Sequence, residues 1–146
     1  KDWGLNRFII VNFIWIFLIV TKHKKMIIQE VIKFASDTSN YGIKKKSNFI
    51  ATCKNKICGD KITVELEIKK KIIKKMSYET ESCVFCQASA SLLSKSVKNK
   101  GTKAITMLLD NTIKNNNFKK LLNNKERISC VMLPFVTLQK AINNSK

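Results

Sequence analysis

A chain of 146 residues with 45% hydrophobic content has enough apolar material for one domain with a core and too little length for two. Five cysteines leave one unpaired in any disulfide scheme, so the thiols read as reduced, held in a cytoplasmic setting for metal or sulfur chemistry. The formal charge of +18 is no signature of specific nucleic-acid binding: all 28 basic residues except Arg7 and Arg127 are lysine, scattered among Asn and Ile, without the guanidinium forks and interleaved aromatics such recognition uses.

The first 25 residues differ from the rest. Phe8 to Val20 is a run of 13 residues, apolar except for Asn12, with Arg7 before it and Lys22, Lys24 and Lys25 after it. As a helix it would span roughly 20 Å, short of a hydrocarbon core of about 30 Å. TKHKKM offers no small-residue cleavage site for a signal peptide. Residues 1–25 are therefore expected to be an apolar and basic leader outside the native domain, with Met26 as the natural start. A membrane association follows only if that leader is real. The chain's histidine, His23, falls within it and reads as a solvated residue of a basic tail.

From Met26 onward the pattern is that of one domain, residues 26–146. Ile28, Val31, Ile32 and Ala35 have one-sided helical spacing over Met26–Ser36, and Asp37–Gly42 collects turn formers. Asn48–Thr52 reads as a first strand. Ile62, Val64, Leu66 and Ile68 alternate with Thr63, Glu65 and Glu67, a strand with one buried face. Lys69–Lys71 makes a turn, and Ile72–Glu81 returns with Ile72, Met76 and Tyr78 on one face. A helix follows Cys83, with a run of small residues from Ala88 to Ser91 and Gly101 as its stop. Thr102 caps a helix through Ile113 with Ile105, Leu108 and Leu109 on one stripe. Asn115–Asn117 breaks it, Phe118–Leu122 forms a short helical turn, and Val131–Ile142 is a last helix with Pro134 in its first turn. Strands followed by helices imply an α+β domain: a three-stranded antiparallel sheet with helices packed on one face.

The chemistry-bearing residues gather at one end of that sheet. Cys58 and Asp60 flank Gly59 at the entry to the central strand, and in an extended segment residues two apart point the same way. Cys83 lies at the far end of the hairpin, and antiparallel pairing returns it to the Cys58 end. Cys130 also precedes a helix, where the macrodipole favours thiolate. Three thiolates and one carboxylate form a four-donor metal site suited to Zn²⁺ or an iron–sulfur cluster, and the oxygen donor weakens retention and aids transfer. Cys53 reads as a small hydrophobe in a strand. Cys86 forms C-x-x-C with Cys83 but lacks a redox βαβ context and reads as core, with a spare ligand or a sulfur acceptor as its functional alternatives.

CGDKITVELEI, CVFCQASAS and RISCVMLPF together resemble the three signature blocks of the NifU/IscU/SufU family of iron–sulfur cluster scaffolds. The resemblance spans Met26 to Ile142 and implies that Cys58, Asp60, Cys83 and Cys130 are the cluster and metal ligands, with Cys83 and Cys130 as candidate persulfide acceptors. It implies a [2Fe–2S] cluster or iron as cargo, with a cysteine desulfurase, an electron donor and iron–sulfur acceptor proteins as partners; a homodimer joined through the cluster is an arrangement it allows. Ser129 stands where the IscU branch has His, and Arg127, three residues before Cys130, is an accessory cation similar to the SufU and NifU-like branches. The long insertion of SufU is absent. Two alternatives stay open: a SufU-like zinc-dependent sulfurtransferase, the one enzymatic reading, and a basic zinc module contacting nucleic acid through Cys53, Cys58, Cys83 and Cys86.

Overall fold

The computed structural model describes residues 3–144, so residues 1, 2, 145 and 146 of the expected leader and domain lie outside the described residues. The chain divides into two compact units, Lys1–Glu30 and Val31–Lys146. The helix expected to begin at Met26 begins far earlier, as α1 (Trp3–Ala35). Five consecutive apolar residues in the first unit, Ile16 to Val20, are each at least half exposed, on all sides of the helix. Among the described residues no helix is long and apolar enough to cross a membrane. The second unit buries Val31 and Ala35, one turn apart, whereas Ile28 and Ile32 of the expected stripe are more than half exposed. Those pairs lie on adjacent i, i+4 ridges, and one ridge is enough for this contact.

The sheet has order β1-β2-β3, with β1 (Ile50–Lys54), β2 (Lys61–Lys69) and β3 (Ile72–Glu81) antiparallel throughout. Lys70 and Lys71 both take positive φ, at 50° and 62°, which is the geometry of a two-residue hairpin turn whose twist matches the strands. The ladder pairs Glu67 with Lys75 and Ile68 with Ile73, leaving Lys74 as the extra residue of a bulge. One inserted residue shifts the side-chain alternation by one position. The residue that joins Met76 and Tyr78 on the buried face is accordingly Ile73, not the expected Ile72.

Ile62, Val64 and Leu66 of β2 are fully buried beneath two helices, α2 (Val84–Ser96) and the last helix, α5 (Ile128–Asn143). α2 lies on β3, α5 lies on β1 and β2, and the two helices pack against each other. The small-residue run makes that approach close: Ser89 is fully buried and its Oγ donates to the Val131 carbonyl of α5 at 2.6 Å. Between them come a 3-10 turn (Thr102–Ala104), α3 (Ile105–Ile113) and α4 (Asn116–Leu122). Ile105 and Leu109 are buried, while the Leu108 side chain lies outside the described ones. Asn115 caps α4 by accepting the Asn117 N–H, and Phe118 meets Phe135 of α5 edge to face at 5.2 Å.

Two expected helix signals act elsewhere. Gly101 does not stop α2, which ends at Ser96; the positive-φ residue after it is Asn99, and Gly101 bridges to Ile72. Pro134 lies inside α5 rather than in its first turn, so it has no N–H for the carbonyl four residues back, that of Cys130.

Glu65 lies on the face of β2 opposite the helices, yet it is 7% exposed because the 43–47 segment covers it. Its carboxylate accepts the backbone N–H groups of Lys44, Lys46 and Ser47 at 2.6 to 3.0 Å. Burial pushes this carboxyl up, but those donors outweigh it and hold the group below its ordinary range. A carboxyl depressed in the folded chain contributes its stability above the unfolded value and loses it as pH falls through the folded one. Glu65→Ala should cost about 2–3 kcal/mol in urea unfolding at neutral pH. Glu65→Gln should flatten the loss of stability below about pH 4.5. A variant as stable as the parent at both pH values would contradict this role.

Candidate metal centre

The β-ladder sets the stage. Lys61 pairs with Lys54 on one side and Glu81 on the other, so the β1–β2 loop, the start of β2 and the end of β3 share one end of the sheet. Residues 55–60 form that loop. The Asn55 N–H donates to the Asp60 carbonyl at 2.7 Å, and the Gly59 N–H returns to the Asn55 carbonyl at 2.9 Å. Gly59 has φ +78° with nothing within 4 Å of where a Cβ would stand, so the left-handed backbone conformation, rather than space, calls for glycine. Cys58 and Asp60 therefore converge through a turn. The extended segment expected there is absent, because the left-handed residue between them breaks the strand alternation.

Asp60 is 6% exposed, and its Oδ1 accepts the backbone N–H of Cys83 at 3.1 Å. Cys83 is the residue immediately before α2, with extended backbone. Its N–H is one of the unpaired donors at the helix start, and the carboxylate fills that need. Asp60 Oδ2 is buried and has no hydrogen-bond partner. The Asp60 carboxylate lies beside two sulfurs: donor atoms of Cys58, Asp60 and Cys130 all fall within 4.8 Å of one another, and the Cys58 and Cys130 Sγ atoms are 3.5 Å apart. A buried acceptor with no donor is costly in a folded protein, and a cation among the same atoms would satisfy it.

Each predicted site residue has a definite place. Cys58 is exposed on the loop, Cys83 is half-buried, and Cys130, in the first turn of α5, is 1% exposed. Cys83 lies outside the tight group of three donors, but it hydrogen-bonds to Asp60 and also acts on Cys130. Burial raises the Asp60 carboxyl, and the influence of Cys83, through its thiol and its backbone N–H, and of the nearby Cys130 and Cys58 thiols outweighs it, leaving the group below its ordinary value. The Cys130 thiol is pushed up, first by burial and then by the neighbouring Cys58, Asp60 and Cys83 side chains. The helix start does not make Cys130 a thiolate here, because desolvation and acidic neighbours outweigh the dipole.

Cys86 is fully buried, and its thiol is raised to about 11, chiefly by that burial. Cys53 is half-buried on β1 opposite Ile62. Neither belongs to the donor group. Arg127 is exposed at the residue before α5. Two residues that matter to this geometry were not singled out as contributors from sequence: Asn55, which closes the loop, and Ser129, noted only as a departure from His. An Asn three residues before Cys-Gly-Asp is a turn signal that would have pointed to the first.

A model of the NifU-like N-terminal domain matches residues 26–146. The chain belongs to the NifU-like N-terminal domain family. This is the family of NifU, IscU and SufU scaffolds for iron–sulfur cluster assembly that the three cysteine blocks resemble. The iron–sulfur cluster assembly scaffold protein IscU of Thermotoga maritima is 26% identical to this NifU-like chain over 133 residues, 82% of this chain and 94% of that protein. The NifU-like N-terminal protein of Brucella abortus superposes with a TM-score of 0.66 at 21% identity, covering 79% of this chain and 90% of its own. A SufU of Fervidobacterium islandicum, described as a scaffold for the SUF system, superposes with a TM-score of 0.65 at 20% identity, covering 77% and 93%. Those two structures share the NifU-like fold.

Thiol chemistry in this NifU-like chain should follow burial. In anaerobic alkylation at pH 8 read by mass spectrometry, Cys58 should react first, with Cys86 and Cys130 at least about tenfold slower until urea exposes them. Rapid labelling of Cys86 in the folded protein would contradict the burial described.

Proposed function

We propose that this protein is a scaffold on which a [2Fe–2S] cluster is assembled and from which it passes to acceptor proteins, with Cys58, Asp60, Cys83 and Cys130 as its ligands. The observation that carries this reading is the buried Asp60 carboxylate, which leaves its Oδ2 without a hydrogen-bond partner and places an oxygen within 4.8 Å of the Cys58 and Cys130 sulfurs. Family membership supports it independently. A cluster held for transfer needs a site open on one side, and Cys58 is an exposed ligand on a loop.

In the proposed sequence a cysteine desulfurase transfers its persulfide sulfur to a scaffold thiolate, and the desulfurase thiol is regenerated. An electron donor then reduces that sulfur to sulfide as iron binds. Of the two expected acceptors, the buried Cys130 is screened from an incoming persulfide, so Cys83 fits the role better, and Cys58 is more exposed still. Asp60 contributes a hard oxygen to a site for soft ligands, which favours release over permanent retention. The reduced thiols and this chemistry suit the cytoplasm. The protein is a carrier of cargo in this scheme and turns over no substrate of its own.

A second reading, zinc on the same four donors with sulfur transfer as the activity, is favoured by Ser129 in place of histidine and by Arg127 near Cys130. A nucleic-acid module built on Cys53, Cys58, Cys83 and Cys86 fits poorly, since Cys86 is sealed in the core.

Anaerobic reconstitution with iron and sulfide should produce visible iron–sulfur absorption that Cys58→Ser, Cys83→Ser and Cys130→Ser each abolish and Cys53→Ser and Cys86→Ala retain. Asp60→Ala should hold the cluster longer and slow its transfer to an apo-acceptor by about tenfold or more. Stoichiometric zinc with no iron–sulfur absorption after reconstitution would move the assignment to sulfur transfer. Metal retained in Cys130→Ser and lost in Cys86→Ala would overturn both readings.

A further inference from the structure

We infer that Asn55 is a positioning residue, whose side chain clasps the Cys58 loop to the first turn of α5 and thereby sets the gap between the Cys58 and Cys130 sulfurs. The inference deepens the metal-centre reading and rests on it. Asn55 is 9% exposed, and each of its polar functions is engaged. The backbone N–H and carbonyl close the loop onto Asp60 and Gly59 at 2.7 and 2.9 Å. The side-chain Oδ1 accepts the Ile57 N–H at 2.9 Å, and Nδ2 donates to Ser129 Oγ at 3.1 Å.

The orientation of the amide is dictated by chemistry. Only the oxygen can accept from the Ile57 N–H, so the nitrogen must face Ser129, whose hydroxyl can accept. A loop that needed only its local turn would be served by Oδ1 alone. Nδ2 instead reaches a residue 74 positions away in sequence, immediately before Cys130. This hydrogen bond joins loop to helix without using any of the site's own donor atoms. Such a tie is what the centre requires, because metal binding deprotonates the sulfurs and gathers like charges beside the Asp60 carboxylate, so the donors are better held in place beforehand. A neutral amide–hydroxyl bond holds Cys58 near Cys130 without adding charge. Asn55 and Ser129 thus act on the metal through the ligands they place, as outer partners of metal ligands do.

The test is anaerobic competition for Zn²⁺, used alone as the probe, against a chromophoric chelator. Asn55→Ala should weaken Zn²⁺ binding by about 10–100-fold. Ser129→Ala, at an exposed position where folding is not at stake, should weaken it in the same direction, and Ser129→Thr, which keeps the hydroxyl, should restore it. The double variant should bind no more weakly than Asn55→Ala alone, since both changes remove one bond. Urea midpoints of the metal-free proteins should not track these losses, and Co²⁺ bound to Asn55→Ala should show reduced thiolate-to-metal charge transfer. Parent-like Zn²⁺ affinity in Ser129→Ala, or fully additive losses in the double variant, would overturn the clasp and leave the metal centre standing. A parent protein that binds neither Zn²⁺ nor iron would overturn the metal centre and the clasp with it.

Discussion

Asp60 stands where the β1–β2 loop enters β2, and its Oδ1 accepts the N–H of Cys83, the residue from which α2 departs after β3. This contact joins the start of one strand to the helix that follows the next. It satisfies a helix-terminal donor with a carboxylate and, in doing so, fixes that carboxylate beside the Cys58 and Cys130 sulfurs. Cys83, Cys58 and Cys130 come from three separate parts of the chain, and all are referred to this one side chain. The register of the hairpin makes the contact available, because Lys61 and Glu81 are partners in the ladder.

The remaining architecture serves to bring α5 to the same place. Ser89 on α2 anchors the Val131 carbonyl, one residue beyond Cys130, and the buried small residues on either side of it let the two helices approach closely. From the other side, the Asn55 amide reaches Ser129. Cys130 is thus held between two hydrogen-bonded neighbours, one before it and one after. Pro134, one turn along α5, has no N–H to offer the Cys130 carbonyl, so the start of the helix is shaped by its tertiary neighbours more than by its own ladder.

The thiols divide by burial. Cys86 and Cys130 are withdrawn from water and raised, the first to about 11, while Cys58 is open to solvent. At Cys130 the helix dipole is therefore outweighed in the metal-free chain. A dipole contributes modestly at a helix start, whereas loss of hydration on complete burial opposes charge more strongly. A cation bound beside Cys130 would oppose that shift, since metal binding favours the thiolate.

Much of this was legible from residue order. The period-two run from Ile62 to Ile68 made the central strand readable, the lysine turn and returning strand made the hairpin, and the order of strands and helices indicated an α+β domain. The three cysteine blocks pointed to the family. These are local or motif signals, carried by neighbours in sequence. The Lys74 bulge, the covering of Glu65, the turn that joins Cys58 to Asp60 and the Asn55–Ser129 clasp were not legible, since each depends on what a distant segment places against it. Sequence by itself determined which donors the chain carries and where its secondary structure begins to form. Only the tertiary structure decided which sulfurs are sealed, which is open, and which oxygen is left without a partner, because burial and hydrogen bonding are properties of the neighbours that folding supplies.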